Sequence, residues 1–450
     1  MSRRKAGVGL ALFVLALSAL ASSRPSEVDL GGPKPPLADA GPSLLALPAS
    51  FVLARDSVEL QQLLDDPAGP GQIGVRAAAY RGQIVIRRPV VLRGDGTAVI
   101  DGGGAGTVIS IESDDVSLEN LRVRHSGHRQ TTEDAGIRAK GARIRVVDVQ
   151  VEDSLFGISF GPCVQCLIDH SRVEGLSGVD AELRGDGIKL WESNESVVRR
   201  SVVEGARDVV VWYSRHVTLD ENTVRNCRYG THLMYAHDSL VKNSRLEGNV
   251  VGIFSMYSSR LHVEHNVLAG AHGAAGMGIG FKESDGVELS GNWIVGNTTG
   301  VYLDRTPHTA SRPVTFTRNM IALNHVALGF LGSAAGLSFE RNDFHDNVAL
   351  ADFEAEGEPL QARFSHNHWT EYAGYDLNAD SVGDVPFTLQ QLSRELGDAA
   401  PALKLFQGTV AFGMIDAIAH VVPVLSSRIL LTDPNPEVSS PILTSVMSRP

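Results

Sequence analysis

From about Val75 to Asn367 the chain repeats one arrangement of apolar and polar positions. Lines begun at Gly187, Asp208, Gly230, Gly252, Gly278 and Gly300 align, with steps of 21, 22, 22, 26 and 22 residues. Each line opens on a short apolar strand, such as Gly187 to Trp191, Gly230 to Met234 or Gly252 to Met256. A second strand follows about ten residues on, as in Val217-Thr218-Leu219. Then comes Asn or Ser with an aliphatic residue two further on: Asn222 and Val224, Asn266 and Leu268, Asn292 and Ile294. Short strands at fixed spacing without helical periodicity predict an all-β solenoid, a right-handed parallel β-helix. One coil cannot bury its own apolar face, so coils stack, and equivalent Asn side chains stack with them in a ladder. Ser57 to Leu64 has helical spacing and is expected to cap the first coil.

Side chains alternate faces along a strand. In the leading strands Ile188 and Leu190, Val209 and Val211, Leu233, Ile253, Ile279 and Phe281 point to the core. The intervening positions then point outward, about 4.8 Å apart from coil to coil. They read Lys189 and Trp191, Val210 and Trp212, His232 and Met234, Phe254 and Met256, Gly280 and Lys282, Tyr302 and Asp304. The expected result is a water-facing ridge of Trp191, Trp212, Met234 and Met256 beside His232. Tyr213, Tyr235, Tyr257, His237 and Met277 edge it. Contiguous aromatic and thioether groups in water imply a binding surface, unless a loop or the C-terminal segment covers them. Thioethers with imidazole select Cu(I), which makes His232, Met234, Met256 and Met277 the candidate metal ligands.

The N-terminus pairs Arg3-Arg4-Lys5 with an apolar run from Val8 to Leu20 and a small-residue site near Ala21, the pattern of a cleaved signal peptide over 1–21. Residues 22–50 are rich in Pro, Ala and Gly and are expected to be a flexible leader outside the fold. The β-helix is placed at 51–375 and the tail at 376–450. A net charge of −12 argues against nucleic acid as a partner. Cys163 and Cys166 form a lone CxxC, expected as a local disulfide or two buried thiols rather than a metal or redox site, and Cys227 stands alone.

In the tail, Asp376 to Asp384 offers oxygen ligands at alternate positions, as a calcium loop does. Ser381 stands where such a loop needs Gly, and no Glu closes it, so an Asx-rich turn without metal competes. Beyond Pro386 the spacing of Leu389, Leu392 and Leu396 and the apolar run from Val410 to Leu425 predict a helical extension that docks on the solenoid or on a partner.

The segments GDGIKLW (185–191), DVVVWYS (208–214), RYGTHLMYAHDS (228–239), VGIFSMYS (251–258), GMGIGFKESD (276–285) and NHWTEYAGYDLNADSVGDVPF (367–387) resemble the NosD family of periplasmic β-helix proteins that serve nitrous oxide reductase maturation. The resemblance spans nearly the whole chain after residue 21. It implies a periplasmic, non-catalytic factor that handles copper transiently. The implied partners are an ABC-type permease and ATPase, a copper chaperone and nitrous oxide reductase. The tail would be the contact with the permease. It does not itself identify ligands; those are assigned by position on the ridge. The competing reading is a polysaccharide lyase or hydrolase, since β-helices often bind sugars on this face. That chemistry needs clustered carboxylates, and the face offers mainly Asp304, set beside Lys282 and Arg305.

Overall fold

In the computed structural model, described residues are 40–77, 79–332, 334–353, 361–390 and 429–442, with isolated positions between 396 and 415. The expected signal peptide and the first part of the leader lie outside them. So does most of the expected helical extension.

The repeat folds as a parallel β-helix. Among the described residues three sheets run the length of the solenoid, of 14, 12 and 13 strands, each strand hydrogen-bonded to its counterpart one coil away. The leading strands of the repeat form the 12-stranded sheet, and their register matches the alignment of the sequence lines: Trp191 pairs with Trp212, Trp212 with Met234 and Met234 with Met256. Ile188, Leu190, Val211, Leu233, Ile253, Ile279 and Phe281 face the continuous core and are almost fully buried.

Inside the corner between the 14- and 13-stranded sheets, stacked polar side chains satisfy turn amides. The Oδ1 atom of Asn292 accepts from the backbone N–H of Asn266, that of Asn319 from Asn292, and that of Asn342 from Asn319, at 2.9–3.0 Å for the side-chain and 3.0 Å for the backbone bonds. A second ladder links Asn297, Asn324 and Asn347. Corners are turned by single residues in the left-handed region, among them Tyr213, Tyr235 and Tyr257 (φ 51°, 49° and 52°). A non-glycine residue takes that conformation at a cost, so the cooperative ladders and stacked strands hold it there.

Both ends of the solenoid are covered. A helix over Ser57–Asp65 is started by Asp56, whose carboxylate accepts from the amides of Val58 and Glu59, and it buries Leu60 and Leu64 in the first coils. At the other end, Phe387–Gln390 pairs antiparallel with Ile429–Asp433. Leu389 therefore lies in a strand rather than in the expected helix. The heptad-like spacing was misleading because Phe387 and Leu389 alternate toward the core, Phe387 stacking on Trp369 with ring centroids 4.6 Å apart.

The expected leader also needs correction for residues 40–50. Ser43 exchanges hydrogen bonds with the Asn120 side chain, 2.8 and 2.9 Å, and Gly41 N–H donates to the His170 carbonyl. These contacts use backbone groups, and the Leu47 side chain packs beside Gly74 of the first coils, so a Pro- and Gly-rich composition did not keep the segment off the fold.

Candidate functional site on the 12-stranded sheet

The outward positions of the leading strands stand in two adjacent columns. One runs Trp191, Trp212, Met234, Met256, Lys282, Asp304; the other Lys189, Val210, His232, Phe254, Gly280, Tyr302. Met234 shares a strand and a face with His232, and Met256 is its partner one coil on. Met277 occupies a third column, pairing with Val251 and Thr299. It is drawn toward the others across Gly280: a Cβ there would lie 2.6 Å from the Phe254 ring and 3.2 Å from the Met277 sulfur. The glycine is what lets Phe254 and Met277 close over the sheet.

The ridge does not stand in water as expected. His232 is only 7% exposed, and Lys189 and Val210 are also buried. Two long connections fold over this end of the sheet. Gln130 donates to the Leu183 carbonyl at 2.7 Å, Glu133 pairs with Lys189 at 2.6 Å, and Glu182 pairs with Arg228 at 3.2 Å. Leu155, Phe156, Leu176 and Ala135 form a small second core beneath them. Rings complete the enclosure: Tyr229, Trp212 and Phe254 surround the His232 imidazole at centroid distances of 4.9, 5.4 and 6.4 Å.

His232 is left with an unusual inventory. Neither ring nitrogen has a hydrogen-bond partner, although both are buried. The nearest carboxylate, Asp208, lies 3.9 Å from Nδ1, too far for a hydrogen bond. Asp208 instead accepts from Arg228 Nε at 3.0 Å and from the Tyr229 amide at 3.1 Å. Burial raises its pKa, but His232 and Arg228 outweigh burial and hold the carboxyl below the usual range. The result is a buried imidazole with free lone-pair capacity beside an ionised carboxylate. An unpaired buried polar group normally costs about 1–3 kcal/mol, and a cation bound there would offset that cost.

The aromatic edge is present. Trp191 packs edge-on against Trp212 at 6.0 Å, and Tyr213, Tyr235 and Tyr257 stack at 5.1 and 5.2 Å. Tyr213 and Tyr235 are 44% and 40% exposed, the most open part of the site. One cation already occupies the Trp faces: Lys189 Nζ lies 5.4 Å from the Trp191 ring and 6.0 Å from Trp212. His237 lies past the tyrosine corner, with Nδ1 2.9 Å from Ser259 Oγ. Burial, with Arg215 and Arg260 nearby, lowers its pKa, so the ring is neutral at pH 7.

Reasoning from the sequence missed Tyr229, Asp208 and the Glu133–Lys189 pair. Tyr229 precedes a glycine and reads as a turn; the pair joins residues 56 apart in the chain. Cys163 and Cys166 form a disulfide, one of the two expected states. Cys227 is buried and its thiol is pushed up to about 12 by burial, which keeps it from acting as a thiolate. In the Asp376 to Asp384 loop, Asp376 accepts from the amides of Asp380 and Ser381, and Asp384 from that of Leu377. Its carboxylates thus serve the turn itself.

The family described as "Periplasmic copper-binding protein (NosD)" matches residues 164–379. A "Probable ABC transporter binding protein NosD" of Pseudomonas aeruginosa is 26% identical over 439 residues, covering 86% of this chain and 93% of that protein. Its namesake in Stutzerimonas stutzeri is 27% identical over 144 residues, 32% of this chain and 33% of that one. Among solved structures, the A-module of the Azotobacter vinelandii mannuronan C-5 epimerase AlgE6 has a TM-score of 0.52 at 15% identity, over 72% of this chain and 97% of its own. The catalytic unit of a GH87 α-1,3-glucanase from Streptomyces thermodiastaticus has a TM-score of 0.55 at 14% identity, over 72% and 68%. At such identities these two likenesses concern the fold alone. Among the described residues no helix is long and apolar enough to cross a membrane.

Proposed function

We propose that the chain, which the NosD family model matches over residues 164–379 and which is 26% identical to a NosD protein over most of its length, is an exported, non-catalytic copper-handling factor that works with an ABC transporter in nitrous oxide reductase maturation. Copper is here cargo, taken from a chaperone and passed on. The observation that carries the reading is His232: enclosed, with neither nitrogen hydrogen-bonded, beside two methionines in register on adjacent strands. Imidazole with thioethers is a soft donor set that suits Cu(I). Met234 and Met256 are partly exposed and Tyr235 opens to solvent, so the sulfurs form the accessible side and His232 the enclosed one. Met277, beyond Phe254, would supply a further thioether. The relatives' names support the transporter association, and the family's description supports copper and the periplasm. The loop at Asp376 to Asp384 would act as a structural turn, with calcium there the secondary reading.

A carbohydrate-active reading has one observation in its favour, an open cleft of about 460 Å³ lined by Arg138, Lys140, Lys189 and Trp191. Its carboxylate, Glu133, is paired to Lys189. Asp304, farther along the face, is 3.7 Å from Lys282 and 3.3 Å from Arg305. Carboxylates held by cations are poorly placed to serve as the acid and base of glycoside chemistry. Anaerobic Cu(I) titration decides. Wild type is expected to bind, and Met234→Ala with Met256→Ala to weaken binding at least about tenfold, 1.4 kcal/mol. Turnover of uronate or glucan polymers without Cu(I) binding would sink the copper reading.

A further inference from the structure

We propose a second metal site on a different sheet of the repeat, the 13-stranded one, near the C-terminal end of the solenoid. Asp343, His345 and His368 there would take a divalent transition-metal ion of the Zn(II) kind. Each offers one ligand atom, and the three atoms lie within 4.8 Å of one another. Their convergence is built into the coil. Asp343 and His368 are register partners on adjacent strands, and His345 is two residues along from Asp343 and so on the same outward face.

The Asp343–His368 contact is a hydrogen bond as it stands and the Asp343–His345 contact is not, and both spacings are compatible with a shared cation. Asp343 Oδ1 lies 2.8 Å from His368 Nδ1 and 4.0 Å from His345 Nδ1. Ligands about 2.1 Å from a tetrahedral metal are roughly 3.4 Å from each other, so the two spacings bracket the required edge. Small side-chain rotations would close it without moving the strands. The rings of His345 and His368 lie 6.3 Å apart and near parallel, at 25°.

The surroundings orient these groups. His345 Nε2 is 3.3 Å from an Asp346 carboxylate oxygen. A proton held on Nε2 by that contact leaves Nδ1 as the lone pair turned toward Asp343, the carboxylate–histidine–metal arrangement of metalloproteins. Asp343 has no exposed surface, yet it lies among half-buried histidines and accepts from Ser440 Oγ of the tail. Two imidazoles and a carboxylate leave an open coordination position and suit a borderline divalent ion rather than Cu(I). The site is distinct from the methionine columns in residues, sheet and donor hardness. Because Ser440 reaches the same carboxylate, an ion there would brace the last coils to the tail.

The test uses the full exported protein, stripped with a chelator, then titrated with Zn(II) by calorimetry and with Co(II) by visible absorption. One equivalent is expected to bind. His345→Gln and His368→Gln should each weaken it at least about tenfold, with circular dichroism matching wild type, and Asp346→Asn should weaken it less. Met234→Ala with Met256→Ala should leave Zn(II) affinity unchanged, so failure of the copper reading and failure of this one are separate results. Absence of Zn(II) and Co(II) binding by wild type, or binding that survives both histidine substitutions in folded protein, overturns the proposal.

Discussion

At the scale of single residues, the informative groups are polar ones buried with and without partners. Asp208 has no exposure, and its ionised form is held by Arg228 and the His232 ring against the pull of burial. Its folded pKa lies below its ordinary value of 3.8. The stability it contributes is therefore present above that value and is lost as pH falls through the lower folded one. Asp208→Asn is expected to cost about 2 kcal/mol at pH 7, and urea unfolding should show the gap to wild type narrowing toward about pH 3. A gap unchanged across that range would mean the charge is not what matters. Neighbouring Asp186 shows the opposite sign. Burial first, opposed by Arg207 and reinforced by Asp208, pushes it up to about 6. Its folded form favours the proton, so as pH rises toward 6 its ionisation works against folding. A D-G pair reads in sequence as a turn, and nothing in it shows that the carboxylate turns inward to Arg207.

At the scale of the element, the ladder of asparagines does what the repeat led one to expect, and the reason is geometric. Each coil must turn a corner inside the core, where water cannot reach the amides. A primary amide supplies both a donor and an acceptor at that point. Asn319 accepts from both nitrogens of Asn292 and donates to the Leu289 carbonyl at 3.0 Å. Asn319→Ala takes a partner from the buried Asn292 amide, from one of the two Asn292 side-chain N–H groups and from the Leu289 carbonyl, and is expected to cost about 3 kcal/mol in chemical unfolding. A cost under about 1 kcal/mol would show that the ladder is ornament to the strands. Strand order, register and the inward or outward sense of each column were legible because a stacked coil has one side-chain period and one repeat length. The candidate ligands lay on the columns expected of them for the same reason. Their burial was not legible. The connections that roof His232 owe their position to contacts such as Gln130 with Leu183, 53 residues apart and made by groups with no pattern of their own. The Asp343, His345 and His368 cluster was missed likewise: each residue fits its line of the repeat as an ordinary polar outward or corner position, and only the stacking of coils assembles them.

At the scale of the whole solenoid, stability is a sum over neighbouring coils, and an open end would expose apolar core and an unpaired strand edge. The tail resolves this by continuing the ladder after the repeat has stopped. Asp433 takes the position of a further asparagine, accepting from the Asn367 amide at 3.0 Å, the Asn367 side chain at 2.9 Å and Trp369 Nε1 at 3.2 Å. A carboxylate suits a terminal rung, since it needs only to accept and has no next coil to serve. Nothing in the periodicity announces this, because the residue lies 66 positions from its partner. Asp433→Ala should therefore fray the last coils alone. Hydrogen exchange is expected to quicken across residues 361–369 while the strands carrying His232, Met234 and Met256 keep their protection and their Cu(I) affinity. Exchange that quickens along the entire solenoid would instead make the tail a global determinant of folding. Exchange unchanged at 361–369 would mean that Phe387 on Trp369 closes the core without the ladder's final acceptor.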